Sequence, residues 1–321
     1  MRQLPVLAFL LLIALPSSAA TLLVAQDGSG DFLTIGDAVA AASSGDTIDI
    51  EGGIYAEEIN PSGKDLSLRA ADSGDPVTID GEGARRCLVG ASGETLVLTD
   101  MRFTDGFTDQ DGGCVLLSDA VATFTNCQFD DCEAVDGGGL WLGPAGTVTL
   151  TGCTFSACDA ESRGGGLHVE GGTATLDGSL LWDNFCGLAG GALAVMDSGG
   201  PSSVTVTSSS LQSNFGVGLG EAIWSDSSVP ILIDGTQLCD HDAGVEVSGS
   251  LTDGGGNSFG EWCCQGDVDW DGDVDGFDVD AMLTAWGNSL ISADDREDVA
   301  RDGDVDVEDL LLLLQNWGMC Q

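Results

Sequence analysis

Positive charge is scarce in this chain. Its 321 residues include 9 Lys+Arg against 53 Asp+Glu, a formal net charge of −44. Lys64 is the only lysine, and His168 and His241 are the only histidines. Such a deficit excludes nucleic acid and anionic membrane as partners, since both need cations to meet phosphate groups. It also disfavours a polyanionic substrate unless calcium intervenes. Long apolar runs are equally few. Beyond the first twenty residues none could span a bilayer, and the leucines at 310–314 are too short a run. Apolar content nevertheless reaches 43%, so the 48 glycines point to tight turns rather than disorder.

The amino terminus has the pattern of an export signal over residues 1–20. Arg2 precedes an apolar run from Leu4 to Leu15, then Pro16, with Ser18 and Ala20 placed for cleavage. The expectation is a secreted or cell-surface protein with no membrane insertion after cleavage. Calcium is plentiful there and thiols oxidise.

The middle of the chain is repetitive. Six segments align without gaps: LVLTDMRFTDG (96–106), ATFTNCQFDDC (122–132), VTLTGCTFSAC (148–158), ATLDGSLLWDN (174–184), VTVTSSSLQSN (204–214) and ILIDGTQLCDH (231–241). Their starts lie 26, 26, 26, 30 and 27 residues apart. A second series, GGCVLL, GGGLWL, GGGLHV, GGALAV and GEAIWS, falls between them. A fixed period of this size is the mark of a solenoid. The third column (Leu98, Phe124, Leu150, Leu176, Val206, Ile233) and the eighth (Phe103, Phe129, Phe155, Leu181, Leu211, Leu238) are apolar and must point inward. The fourth, largely Thr and Asp, should face water. Alternation at period 2 means strand, and no helical stretch separates the strands. The chain is therefore expected to be all-β: a right-handed parallel β-helix over residues 21–262. Propeller blades, about 40–45 residues long, do not fit.

The cysteines bear on the register. Cys127 and Cys153 share a column, as do Cys132 and Cys158, while Cys87 and Cys114 both precede the second strand. Coils stacked about 4.8 Å apart fall within disulfide reach, so three coil-to-coil bridges are open, as is a reading of Cys127 and Cys153 as free inward thiols. Cys263 or Cys264 could pair with Cys320. The total of 11 leaves one thiol unpaired within the chain.

Residues 22–60 contain Val24-Ala25-Gln26-Asp27-Gly28-Ser29-Gly30-Asp31-Phe32, then an alanine-rich helix over Asp37–Ala42, then Asp46-Thr47-Ile48-Asp49-Ile50. This segment resembles the opening of pectin-methylesterase-like β-helices. The resemblance implies an N-terminal cap, a helix covering the open end of the solenoid. It does not extend to chemistry. The paired-aspartate motifs of pectin methylesterases are absent, and so is the Gly-His-Gly of polygalacturonase-like hydrolases.

For lyase chemistry the best candidates are Arg163 with Glu161 and Asp159, a trio that could equally be a salt-bridged loop. On the second strand series the column between inward residues is Leu116, Trp141, His168, Ala194, Trp224. Trp141 and His168 are expected to face outward as a flat stripe with Trp224 further along, a surface on which sugar rings could stack.

Near the carboxyl terminus one acidic phrase occurs twice, as Asp271-Gly272-Asp273-Val274-Asp275 and Asp302-Gly303-Asp304-Val305-Asp306. In the first copy Asp267, Asp269, Asp271 and Asp278 occupy loop positions 1, 3, 5 and 12, with Asp273 offering its carbonyl. That is EF-hand spacing, with Asp for the usual Glu at position 12. The second copy supplies Asp298, Asp302, Asp309 and the carbonyl of Asp304, but Ala300 stands where a carboxylate is needed. Each loop runs into a helical apolar face: Val279, Met282, Leu283, Trp286 and Leu310, Leu313, Leu314, Trp317. Residues 265–318 resemble type I dockerin modules, so 263–321 is expected to be a small α-helical Ca2+-binding domain. The resemblance implies a cohesin-like receptor or a cell-surface component as partner, met through Phe277, Leu311 and Leu312.

Two functions fit. One is a non-catalytic scaffold associated with polysaccharide. The other is a polysaccharide lyase or glycoside hydrolase recruited through the tail.

Overall fold

The computed structural model describes residues 19–228, 230–239, 247–260, 268, 273–274, 276–286, 299, 304–315 and 318–319. Residues 1–18 of the expected export signal, Cys263, Cys264, Trp317 and Cys320 lie outside them.

Period-2 alternation and a fixed repeat produce a stack of parallel coils. A first sheet of ten strands runs from Thr21–Val24 to Leu251–Gly255, and a second of nine from Gly53–Tyr55 to Ser258–Gly260. A third has seven, from Leu88–Gly90 to Val247–Ser248. A fourth, of four short strands, comprises Glu133–Asp136, Asp159–Arg163, Phe185–Cys186 and Phe215–Gly216. Each coil passes from first to second sheet, in the middle coils through the fourth, and then into the third. The short fourth sheet has no counterpart in the expected strand–turn–strand coil, because two to five residues without apolar alternation leave no periodic signal.

The expected columns are the observed register. Leu98, Phe124, Leu150, Leu176, Val206 and Ile233 pair in sequence across the first sheet, all fully buried. The second sheet stacks Phe103 on Phe129 at 5.3 Å between ring centroids and Phe129 on Phe155 at 4.2 Å. Parallel in-register pairing forces identical columns to stack, so an aromatic column becomes a continuous pile of rings.

The cap forms as expected, one to two residues earlier than anticipated. The helix Ile35–Ala41 is N-capped by Thr34, whose hydroxyl accepts from the Asp37 N–H at 3.1 Å. Both carboxylate oxygens of Glu57 accept from the first helical N–H groups, at Ile35 (3.0 Å) and Gly36 (2.8 Å). Ile35, Ala38 and Val39 join the main core and close the end of the stack.

Sulfur pairing departs from the column expectation. One disulfide joins Cys114 to Cys132, with Cα atoms 5.4 Å apart, while Cys87 stays reduced with its Sγ 3.8 Å from that of Cys114. Cys127, Cys153 and Cys158 are buried free thiols, as is Cys186. Alignment columns identify neighbours along the stack. Cys114 and Cys132 instead meet across the interior, from opposite sides of one corner.

The described part of the tail has its own small core of Val268, Val274, Met282, Val299, Val305 and Leu313, between the helices Gly276–Ala285 and Val307–Gln315. The buried faces differ from those expected. Leu283, Trp286 and Leu314 are about half exposed, and the buried lines run instead through Asp278–Met282 and Asp309–Leu313. The cause is a carboxylate. Asp278 turns inward to accept from the Val268 N–H at 2.6 Å, and Asp309 accepts from the Asp306 N–H at 2.7 Å. Centring each helix on its Asp carries the residue five positions later toward solvent.

Candidate functional site

The site is built where the chain enters the third sheet. A left-handed glycine opens this turn in five coils: Gly112, Gly137, Gly164, Gly190 and Gly220. A Cβ on Gly164 would stand 2.5 Å from the Leu167 carbonyl oxygen, so only glycine fits. The residue just before each glycine forms a column at the mouth of the turn: Asp111, Asp136, Arg163, Ala189, Leu219. Five residues further on, the outer face of the third sheet carries Leu116, Trp141, His168, Ala194 and Trp224 in register. Each coil thus supplies one residue to the mouth and one to the face.

Across these columns the structure brings together Asp111, Asp136, Trp141, Arg163, His168, Glu170 and Trp224. The coil holding both Ala189 and Ala194 offers no bulk. Arg163 reaches over it, placing its Cζ 5.3 Å from the centroid of the Trp224 ring. The Arg163 N–H donates to Asp136 Oδ1 at 2.8 Å. His168, expected as an outward stripe residue, does lie on the outer face but is fully buried, which corrects that expectation. The stripe is interrupted there, with half-buried Trp141 and Trp224 on either side. Burial holds the His168 imidazole down at about 4, with Arg163 adding to the effect and Asp136 and Asp226 opposing it. The ring is neutral at physiological pH.

Four nitrogens here are buried without a hydrogen bond of good geometry: Trp141 Nε1, Arg163 Nε, and His168 Nδ1 and Nε2. The Trp141 indole lies close enough to lower the Glu170 carboxyl slightly, and the Arg163 carbonyl approaches the His168 ring, yet neither closes a bond. Buried polar groups are nearly always paired, so this cluster sets the face apart from the rest of the coil stack. Burial raises the Asp111 carboxyl, helped by Asp136 and opposed by Arg86. Burial also raises Glu170, with Asp111 and Asp136 adding to it. Arg86 itself is held by backbone, donating to the Asp111 and Gly112 carbonyls at 2.9–3.1 Å.

The expected trio does not assemble. Asp159 and Glu161 are exposed on the fourth sheet, where Asp159 pairs in register with Glu133, while the Arg163 guanidinium turns away to the third sheet. Asp111, Asp136 and Glu170 were not anticipated. The signal for Asp111 and Asp136 was the position preceding the turn glycine, a column that alignment by apolar residues passes over, while Glu170 ends a third-sheet strand beside Met196.

In the tail, Asp267, Asp269, Asp271, Asp298 and Asp302 lie outside the described residues, and the Asp273 backbone pairs with Met319 in a short antiparallel ladder. Asp278 and Asp309 are buried and Asp304 is exposed. Phe277 and Leu311 are exposed, whereas Leu312 packs partly against the small core, contrary to its expected place on an outer face. Among the described residues no three carboxyl, thiol or imidazole groups converge as metal ligands would.

Comparison with known proteins supports the coil architecture. A family model described as right handed beta helix region matches residues 82–238. Pectin methylesterase from Aspergillus niger, in deglycosylated form, is similar at 16% identity over 76% of this chain and 84% of its own, with a TM-score of 0.48. Pectin methylesterase from carrot follows at 13% identity over 74% and 87%, TM-score 0.38. A mannuronic acid specific polysaccharide family 6 lyase from human gut microbiota shows 13% identity over 75% and 59%, TM-score 0.37. No curated protein matches. The fold is a right-handed parallel β-helix, and at such identities no residue role transfers.

Proposed function

We propose that this protein is a secreted, polysaccharide-associated β-helix whose glycan cleft is the outer face of the third sheet. The observation that carries the reading is the outer-face column in which half-buried Trp141 and Trp224 stand on nearby coils, with Arg163 over Trp224. Aromatic rings offer flat apolar faces to sugar C–H groups. Calorimetry against a panel of oligosaccharides tests it. Trp141→Ala should weaken binding by about 2 kcal/mol, roughly thirty-fold. The control is Trp182→Ala, an exposed tryptophan on the second sheet. Equal losses in the two variants would place the glycan elsewhere.

The tail is read as a calcium-dependent docking module of the dockerin type, recruiting a cohesin-like receptor through Phe277 and Leu311. Support comes from the twice-written loop spacing and from the parallel burial of Asp278 and Asp309 at the last position of each loop. Four carboxylates drawn to one loop repel unless a cation sits among them. Helicity of the full chain should therefore drop in excess chelator and return with Ca2+, as followed by circular dichroism.

A second reading, hydrolysis within the cleft, is favoured by one observation: burial pushes the Asp111 and Glu170 carboxyls up, which suits a proton donor to a leaving oxygen. Release of reducing ends, abolished by Glu170→Gln, would establish it.

A further inference from the structure

Which sugars the cleft accepts is a matter of charge. The ionisable groups that act on one another there are Asp111, Asp136, Glu170 and Asp226 on the acidic side and Arg86 and Arg163 on the basic side, with His168 between them. Four carboxyls thus face two guanidiniums. The basic side is outnumbered. Arg86 is spent on the carbonyls of Asp111 and Gly112. That leaves Arg163, its Cζ 5.3 Å from the Trp224 ring centroid, as the one guanidinium here facing Asp136 and Glu170.

The floor of the cleft is neutral and polar. His168 lies wholly buried and neutral beneath the face, and half-buried Trp141 stands beside it in register. We propose that this cleft selects uncharged polysaccharide and rejects polyuronate. The proposal rests on the assignment of this face as the glycan cleft and adds the class of glycan to it.

The physical reason is repulsion in a partly buried setting. A polyuronate brings one carboxylate per sugar into a groove already lined by carboxyls, where water screens poorly. Each would lose hydration without gaining a cation. An uncharged glycan meets none of this, and its hydroxyls can donate to the carboxyls.

The test measures binding of an uncharged hexasaccharide series (gluco-, xylo- and mannan-type) and of oligogalacturonate and oligomannuronate hexamers to the full-length protein, in chelator, at low and high salt. Uncharged oligomers should bind with an affinity that salt leaves unchanged, and uronate oligomers at least roughly ten-fold more weakly, improving as salt screens the repulsion. Glu170→Gln should narrow the gap by strengthening uronate binding. Asp226→Asn, at an exposed position that leaves the fold intact, should do so to a lesser degree. Uronate binding as tight as that of uncharged oligomers overturns the selectivity while leaving the cleft in place. Binding of neither class removes the cleft and this inference with it.

Discussion

The outer faces of the first and third sheets obey the same alternation, yet they differ in what the alternation exposes. On the first sheet the column reads Thr99, Thr125, Thr151, Asp177, Thr207, Asp234. These side chains sit in water or bond to one another, as Thr207 does to Asp177 at 2.8 Å. On the third sheet the corresponding column holds Trp141, His168, Ala194 and Trp224, a mixture of sizes with unpaired buried nitrogens. A solenoid surface needs only short polar β-formers to remain soluble and unaggregated. Where a chain abandons that economical solution over several adjacent coils, stability does not explain the departure, whereas the proposed glycan cleft would.

The sharpest way to break this comparison uses pH. The His168 proton affinity falls from the usual 6.5 to about 4 in the fold, so the unfolded chain takes up the proton first. Stability from keeping the ring neutral is complete above 6.5 and is lost as pH falls toward 4, on the order of 3 kcal/mol. Asp111 and Glu170 are shifted the opposite way for carboxyls, so their protonation favours the fold as pH falls and offsets part of the loss. His168→Gln removes only the imidazole contribution. Urea midpoints measured from neutral pH down to about 4 should show wild type losing more stability than the variant. Parallel losses would mean that His168 is hydrated, and that the third-sheet face resembles the first after all.

Much of the fold was legible because a parallel solenoid converts sequence period directly into spatial register. Leu98 through Ile233 and Phe103 through Leu238 stack as their columns require, since slipping one residue would turn the whole apolar set to water. What escaped was whatever depends on neighbours outside the column. The Cys114–Cys132 bond crosses a corner, and the burial of His168 needs Arg163 and the ring beyond it. Further along the stack the two corner columns change from Cys to hydroxyl and amide. Ser179 donates to Leu150 and accepts from the Cys153 N–H, and Asn184 is bonded to Asn214 at 2.8 Å. That substitution shows that a small inward group which can meet a carbonyl is what the corner selects, so the cysteines alone were a poor guide to bridges. The candidate site was half legible. Trp141, His168 and Trp224 share one face by alternation, while Asp111 and Asp136 precede glycines and Glu170 follows the strand core. None of the three carboxyls lies in an apolar pattern.

A milder perturbation sharpens the comparison at Arg163. Substitution by Lys keeps the charge but loses the planar stack on Trp224, which geometry of this kind makes worth about 1 kcal/mol, or roughly five-fold in glycan affinity. Stability should change little, because Arg163 is only half-buried and forms no ion pair among the described residues. A loss in affinity without a loss in melting temperature would assign Arg163 to the cleft rather than to the scaffold.

The smallest effect belongs on the first sheet, and it is the one that gives the others meaning. Thr151 is exposed between Thr125 and Asp177 in register, and its carbonyl accepts from the Asn126 N–H at 2.9 Å whatever its side chain. Thr151→Ala therefore removes a hydroxyl and a methyl from water and leaves the ladder intact. The cost should stay within about 0.5 kcal/mol, arising from strand preference alone. Glycan affinity should not move. If this substitution instead weakened binding as Trp141→Ala is expected to, both faces would contact the ligand, the polysaccharide would have to wrap the coil stack, and the contrast between a solubilising face and a binding face would dissolve.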